Sequence, residues 1–204
     1  WLADALKETG ADILRLGVEG SDYTEDVSFG PEILKHHGEA YRRLRNTLRY
    51  LLGSLAGFEP SERVPADAMP ELERFILHRL WELDVDIRTA YRGFLFQDVT
   101  RAVIEFCQTE LSQLLFDIRR EALYCDRPYS LRRWAARMVM DTVFERLTIW
   151  LAPLMPFTTE EAWTLRFPDS GSNCLRVIPE TPGAWRNDEE ADRWARIQAV
   201  TSVV

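Results

Sequence analysis

Four stripes of apolar residues, each stepping by three or four positions, decide what this chain can fold into. Tyr41, Leu44, Leu48, Leu51 and Leu55 form the first, and Leu72, Ile76, Leu80, Leu83 and Ile87 the second. Val99, Val103, Phe106, Leu114 and Ile118 make the third; Leu131, Trp134, Met138, Val143, Leu147 and Trp150 make the fourth. Such a period gives each of four helices one buried face. At roughly 22–28 residues, each helix would span about 33–42 Å. Short connections between long amphipathic helices favour antiparallel neighbours in a bundle. The punctuation agrees: Pro31 suits a first helical turn, Ser130 an N-cap, and Gly53, Gly57, Pro60 and Pro153 suit helix ends. The expected fold is mostly α, an elongated antiparallel helical bundle with a small module ahead of it.

On either side of these stripes the pattern is shorter. Residues 1–20 read as two short helices broken at Gly10, with Ala11, Leu14 and Val18 on one face of the second and Ile13 and Leu16 flanking it. Turn formers from Ser21 to Gly30 surround Val27 and Phe29, consistent with a short strand or an extended crossing. After Pro156 come a short helix from Thr158 to Leu165, a candidate strand from Leu175 to Ile178, a proline-containing loop and a last helix from about Asp188. The chain thus divides at 1–30, 31–157 and 158–204. It opens on Trp1 and closes inside a helical pattern, and so reads as a piece of a longer protein.

Much chemistry is excluded. No apolar run is long enough to cross a membrane, since two prolines interrupt Leu151 to Phe157. Three cysteines, Cys107, Cys125 and Cys174, match neither a disulfide framework nor a zinc spacing and read as reduced thiols of a cytoplasmic protein. The ten glycines are scattered and form no phosphate loop. No H-E-x-x-H occurs, and no glutamate has a histidine three residues on. His36 and His37 point about 100° apart on a helix, and His78 reads as a residue at the edge of the apolar stripe. No catalytic site, metal site or cofactor site is recognised in these residues.

Recognition chemistry is present instead. The net charge of −8 argues against a general nucleic-acid binder, so the position of the basic residues matters more than their number. Arg42, Arg43, Arg45 and Arg49 fall within eight positions, and Arg42, Arg45 and Arg49 share a face beside Leu44 and Leu48. Asn46 adds an amide that donates and accepts, and Tyr50 a ring able to stack on a base. A cationic ridge of this kind suits RNA. The plainer alternative is a solvated helix whose arginines pair with carboxylates such as Glu39. A second basic group, Arg119, Arg120, Arg127, Arg132, Arg133 and Arg137, surrounds the turn before the fourth helix. Asp117, Glu121 and Asp126 are interleaved with it, so a helix-end salt-bridge network is an equal reading. The sequence leaves open whether the two groups face one RNA or lie at opposite ends of the bundle.

Five strings, taken in order, resemble the isoleucyl-tRNA synthetases of class Ia. They are Gly10 to Leu16, Ser21 to Val27, Ile33 to Lys35 with the R-N-T-L-R-Y-L-L-G core, Leu123 to Asp126, and Leu151 to Trp163. The resemblance covers nearly the whole chain. It implies the tRNA-binding part of a ligase that joins isoleucine to its tRNA through an aminoacyl-adenylate, using ATP with magnesium, and that edits mischarged products in an inserted domain. The H-I-G-H and K-M-S-K-S signatures and a zinc module of that family would lie outside this piece. Residues 1–30 then correspond to a stem-contact module, 31–157 to the anticodon-binding bundle, and 158–204 to a junction with the start of a C-terminal region. The expected partner is isoleucine-accepting tRNA, bound by a monomeric piece. Arg45, Asn46 and Arg49 are the expected anticodon-side contacts, Arg42 and Arg43 weaker candidates for backbone phosphates, and Arg132, Arg133 and Arg137 the last. Trp163 is expected to pack the junction, Leu151 to Phe157 to form a rigid turn, and Tyr124, Cys125 and Asp126 a helix-end motif. Gly17 stands where the family usually has tryptophan, removing a ring from the leading module. Valyl- or leucyl-tRNA synthetase is the neighbouring alternative, and a helical protein-interaction scaffold the alternative from another class.

Overall fold

The computed structural model describes residues 2–21 and 30–201, without the side chains of residues 2–5, 31, 200 and 201. Two short helices, α1 (Leu2–Thr9) and α2 (Ala11–Glu19), meet at Gly10, whose φ of +82° suits glycine. The expected crossing around Val27 and Phe29 lies outside the described residues. Four long segments follow: α3 (Pro31–Ser54), α4 (Glu71–Arg92), a third helix made of α5 (Phe96–Phe106) and α6 (Phe116–Tyr124), and α7 (Leu131–Trp150). Ser130 caps α7 as its position predicts, its side chain accepting from the Arg133 amide.

All five residues of the second stripe are buried, and so are Leu44, Leu48, Leu51 and Leu55 of the first. The third stripe holds only as far as Phe106. From Cys107 to Leu115 the helix widens into a π-helical turn, which joins α5 to α6 without a break. The wider turn carries the buried face onto Leu111, Leu115 and Phe116, leaving Leu114 partly buried and Ile118 exposed. α7 is buried on nearly every side from Ala135 onward, because α3, α4, α6 and a further helix, α8 (Pro156–Arg166), all pack on it.

α3 and α4 occupy diagonal corners of the bundle, with α7 and the third helix between them. The α3–α4 connection is therefore no tight hairpin but a traverse of the bundle end through two 3₁₀ turns, Pro60–Glu62 and Ala66–Ala68. Glu62 anchors it: both its oxygens accept from Arg137 Nη1 on α7, at 2.8 and 2.7 Å. α3 and the third helix run parallel, since His36 faces Gln97 at one end while Tyr50 packs on Phe116 at the other.

α2 docks on α3 and α8. Buried Asp12 accepts from the Thr158 amide at 2.7 Å and from that of Phe157 at 3.3 Å, so it caps the start of α8 from outside the helix. The buried face of α2 is centred on Asp12 and Leu16 rather than on Val18, which is exposed. The rigid turn from Leu151 buries Leu151, Leu154 and Met155, while Phe157 is exposed. The division expected after residue 157 falls inside α8.

The segment from Leu175 to Ile178 is not a strand: among the described residues no other segment pairs with it. It is the middle of an extended strap whose carbonyls are taken by arginines. Arg88 donates to Pro179 O at 2.6 Å, and Arg146 donates to the same oxygen at 2.7 Å. Leu175 and Val177 point to solvent. The strap ends in α9 (Asp188–Thr201), which lies antiparallel on α4 through Arg74 to Glu190 and a stacked Phe75–Trp194 pair. His78 is fully buried there rather than at the edge of its stripe, its Nδ1 accepting from the Asn187 amide. Trp163 packs the junction as expected, with Phe167 at 4.4 Å and the Arg176 guanidinium 3.6 Å above its ring.

Candidate nucleic-acid interface

α3 stands out from the bundle as a ridge with a groove on either flank. The flank toward α8 holds a groove of ≈ 230 Å³ containing Arg45 and Arg49, floored by Leu48, Leu52 and Ala162 and closed by Thr158, Glu161 and Leu165. On the side of the third helix lies a wider groove of ≈ 460 Å³, containing Arg43 and Tyr50 against Gln108, Ser112, Gln113 and Phe116. Asn46 lines both and so marks the crest. The local reason is the helical period: Leu44, Leu48 and Leu51 turn inward, which leaves positions 42, 45, 46 and 49 outward.

The α3 arginines are not paired with bundle carboxylates. Among the described residues, Arg43, Arg45 and Arg49 have no ion pair and no hydrogen bond, and Glu39 holds none of them. Arg42 only reaches back to Gly38 O at 3.3 Å. Four exposed guanidiniums along one helix form a positive strip on a chain whose net charge is −8. Tyr50 is half-buried, one face of its ring against Phe116 at 4.2 Å. Burial pushes its hydroxyl above the ordinary tyrosine value, and the neighbouring Tyr124 adds to this.

The second basic group behaves differently, apart from Arg127, which is exposed and has no side-chain partner among the described residues. Arg119 is held by Glu73 and Arg120 by Asp117. Arg132 grips Asp126 with two hydrogen bonds of 2.6 and 2.9 Å, which hold the Asp126 carboxyl below the usual aspartate range. Arg133 donates to Leu123 O and lies 3.8 Å from Glu62. Arg137 is buried, with Glu62 and Ala56 O on its guanidinium and the Phe58 ring beside it. Desolvation lowers its pKa, although the Glu62 charge opposes the shift. Arg137 therefore leaves the set of expected RNA contacts: it fastens the α3–α4 traverse to α7. Arg132 and Arg133 remain at the surface, chiefly as parts of the helix-end network.

The two basic groups lie at one end of the molecule, since Tyr50 of α3 meets Phe116 and Tyr124 of the third helix there. Tyr124 and Tyr129 are both exposed at that end. The residues that sequence reasoning missed are Gln108, Ser112 and Gln113. A run of polar residues interrupting the third stripe was the available signal; the π-helical turn that gathers them toward α3 has no local signature.

A family model described as the anticodon-binding domain of tRNA ligase matches residues 73–204. The isoleucine–tRNA ligase of Caulobacter vibrioides is 59% identical over 97% of this chain and 20% of its own length. That of Mesorhizobium japonicum is 49% identical over 98% of this chain and 20% of its own. The chain thus spans about one fifth of the length of the curated relatives it matches. In fold it is similar to a crystal structure of a ternary complex of Agrobacterium radiobacter K84 agnB2 LeuRS with tRNA and LeuAMS. There the TM-score is 0.68 at 18% identity, covering 92% of this chain and 21% of that one.

Proposed function

Because this chain belongs to the family of anticodon-binding domains of tRNA ligases, we propose that it grips the anticodon stem and loop of an isoleucine-accepting tRNA within an isoleucine–tRNA ligase. The observation that carries the reading is the α3 ridge, on which Arg43, Arg45 and Arg49 stand unpaired among the described residues. Several other guanidiniums join elements, as Arg137, Arg166 and Arg119 do; Arg92, Arg127 and Arg196 also stand unpaired among the described residues, but singly rather than along one helix face. Cations left free beside a crest amide provide phosphate contacts and one base-edge contact on the same helix face.

In this reading residues 1–30 touch the stem, the bundle receives the loop, and α8, the strap and α9 form the junction toward a C-terminal region. The bundle acts by positioning: it fixes the distant acceptor end while the chemistry proceeds elsewhere in the ligase, in the cytoplasm. Among the described residues no three His, Cys, Asp or Glu side chains could hold a metal together. We place no resident ion on these residues; the ATP and magnesium expected of the whole ligase would act elsewhere in it. A leucine- or valine-specific parent is disfavoured, since the similar proteins at 49–59% identity are isoleucine ligases.

Replacing Arg45 and Arg49 together by alanine tests the ridge. Binding to tRNA should weaken, and the slope of log affinity against log salt should flatten by roughly 1.5, because released counterions scale with phosphates neutralised. An unchanged slope removes both arginines from the phosphate contacts.

A further inference from the structure

We propose that the groove between α3 and the π-helical turn seats a single unstacked nucleobase of the bound RNA, its edge read by the side-chain amides of Asn46, Gln108 and Gln113. The inference rests on the RNA-binding reading above and deepens it by dividing the work of the ridge between its two flanks.

The contents of the grooves separate them. On the α8 side, two guanidiniums and Glu161 surround an apolar floor, which suits a backbone passing over it. Among the described residues no carboxylate lines the third-helix side, where Arg43 is the one guanidinium. Its two aliphatic hydroxyls are already used: Ser112 donates to Cys107 O at 2.9 Å and Thr47 to Arg43 O at 3.1 Å. Its amides are not. Among the described residues, those of Asn46, Gln108 and Gln113 have no hydrogen-bond partner. Each offers two donors and an acceptor, the combination a base edge demands.

A second observation is independent of the amides. The third helix abandons its i→i+4 ladder only from Cys107 to Leu115, and that stretch contains Gln108, Ser112 and Gln113. π-helical turns are rare and concentrate at functional sites, because the wider turn gives up regular hydrogen bonding to re-aim side chains. Here it turns polar residues toward α3 and brings Phe116 under Tyr50, an aromatic floor at one end of a ≈ 460 Å³ groove. A neutral, amide-lined recess beside an arginine is the arrangement by which proteins read splayed-out bases of single-stranded loops.

The test uses the whole chain and a set of RNA hairpins carrying the anticodon stem and loop of isoleucine tRNA, each with one loop nucleotide made abasic. At one loop position, removing the base should weaken binding to the unaltered protein about tenfold. With Gln108→Ala and Gln113→Ala combined, that penalty should shrink to about twofold or less, with the salt slope unchanged. Arg45→Ala with Arg49→Ala should do the reverse, flattening the slope and keeping the penalty. A full penalty in the glutamine variant, or no sensitive position at all, overturns the base pocket while leaving the RNA-binding reading intact. Salt-independent or absent binding of every hairpin overturns that reading, and the pocket with it.

Discussion

At the scale of single residues, the same side chain does opposite work according to what folds over it. Arg45 and Arg137 both read as cations on amphipathic helices. The first stays unpaired among the described residues, whereas Glu62 and Ala56 O occupy the second. The outward phase of Arg42, Arg45 and Arg49 was legible, since a three-and-four spacing beside Leu44 and Leu48 fixes it locally. The burial of Arg137 was not, because its partner lies 75 positions away across a traverse with no sequence signal. Glu19 is a further residue whose state depends on the fold. Burial raises its carboxyl to about 7, against the pull of Arg15 and with a push from Asp12, and Tyr91 of α4 faces it. A carboxyl raised above its unfolded value contributes stability that is complete below about 4.5 and is lost as pH climbs through 7. Glu19→Gln should therefore melt higher than the unaltered chain at pH 8, with the difference vanishing toward pH 4.5 in thermal melts. A variant less stable at pH 8 would contradict this account of α2 docking.

Among elements, the structure is held by charged clamps set into apolar seams. Arg137–Glu62 ties the α3–α4 traverse to α7, Arg119–Glu73 joins the third helix to α4, and Arg166–Asp141 joins α8 to α7. Removing one partner strands the other's charge in a poorly solvated place. Arg137→Ala should cost about 3–5 kcal/mol in denaturant unfolding. Arg45→Ala, at the surface, should change stability by no more than about 0.5 kcal/mol. Equal and small losses would mean that the Glu62 clamp is loose and Arg137 free for other partners. The four long helices were legible because their period repeats over many turns. The third stripe failed at Leu114 and Ile118 because a π-helical turn shifts phase without any residue that announces it. The strand expected at Leu175 to Ile178 failed differently. Alternating apolar residues fit extended backbone, and the backbone is extended, but Arg88 and Arg146 take its carbonyls in place of a second strand.

For the whole molecule, the decisive fact is the order in which helices share corners. A parallel α3 and third helix bring Arg43 to Arg49, Tyr50, Tyr124 and the α6–α7 turn to one end, a question the sequence left open. That end is the one proposed to receive the anticodon loop. The motif strings made the family legible while the geometry was still hidden, because motifs keep order along a chain without stating which faces meet. The direct test of the α3 ridge is binding of the chain to isoleucine tRNA and to a non-cognate tRNA at about 50 mM and about 200 mM salt. Binding should weaken steeply with salt and favour the isoleucine tRNA at both concentrations. Binding that ignores salt, or none at all, would contradict an RNA-gripping ridge on α3.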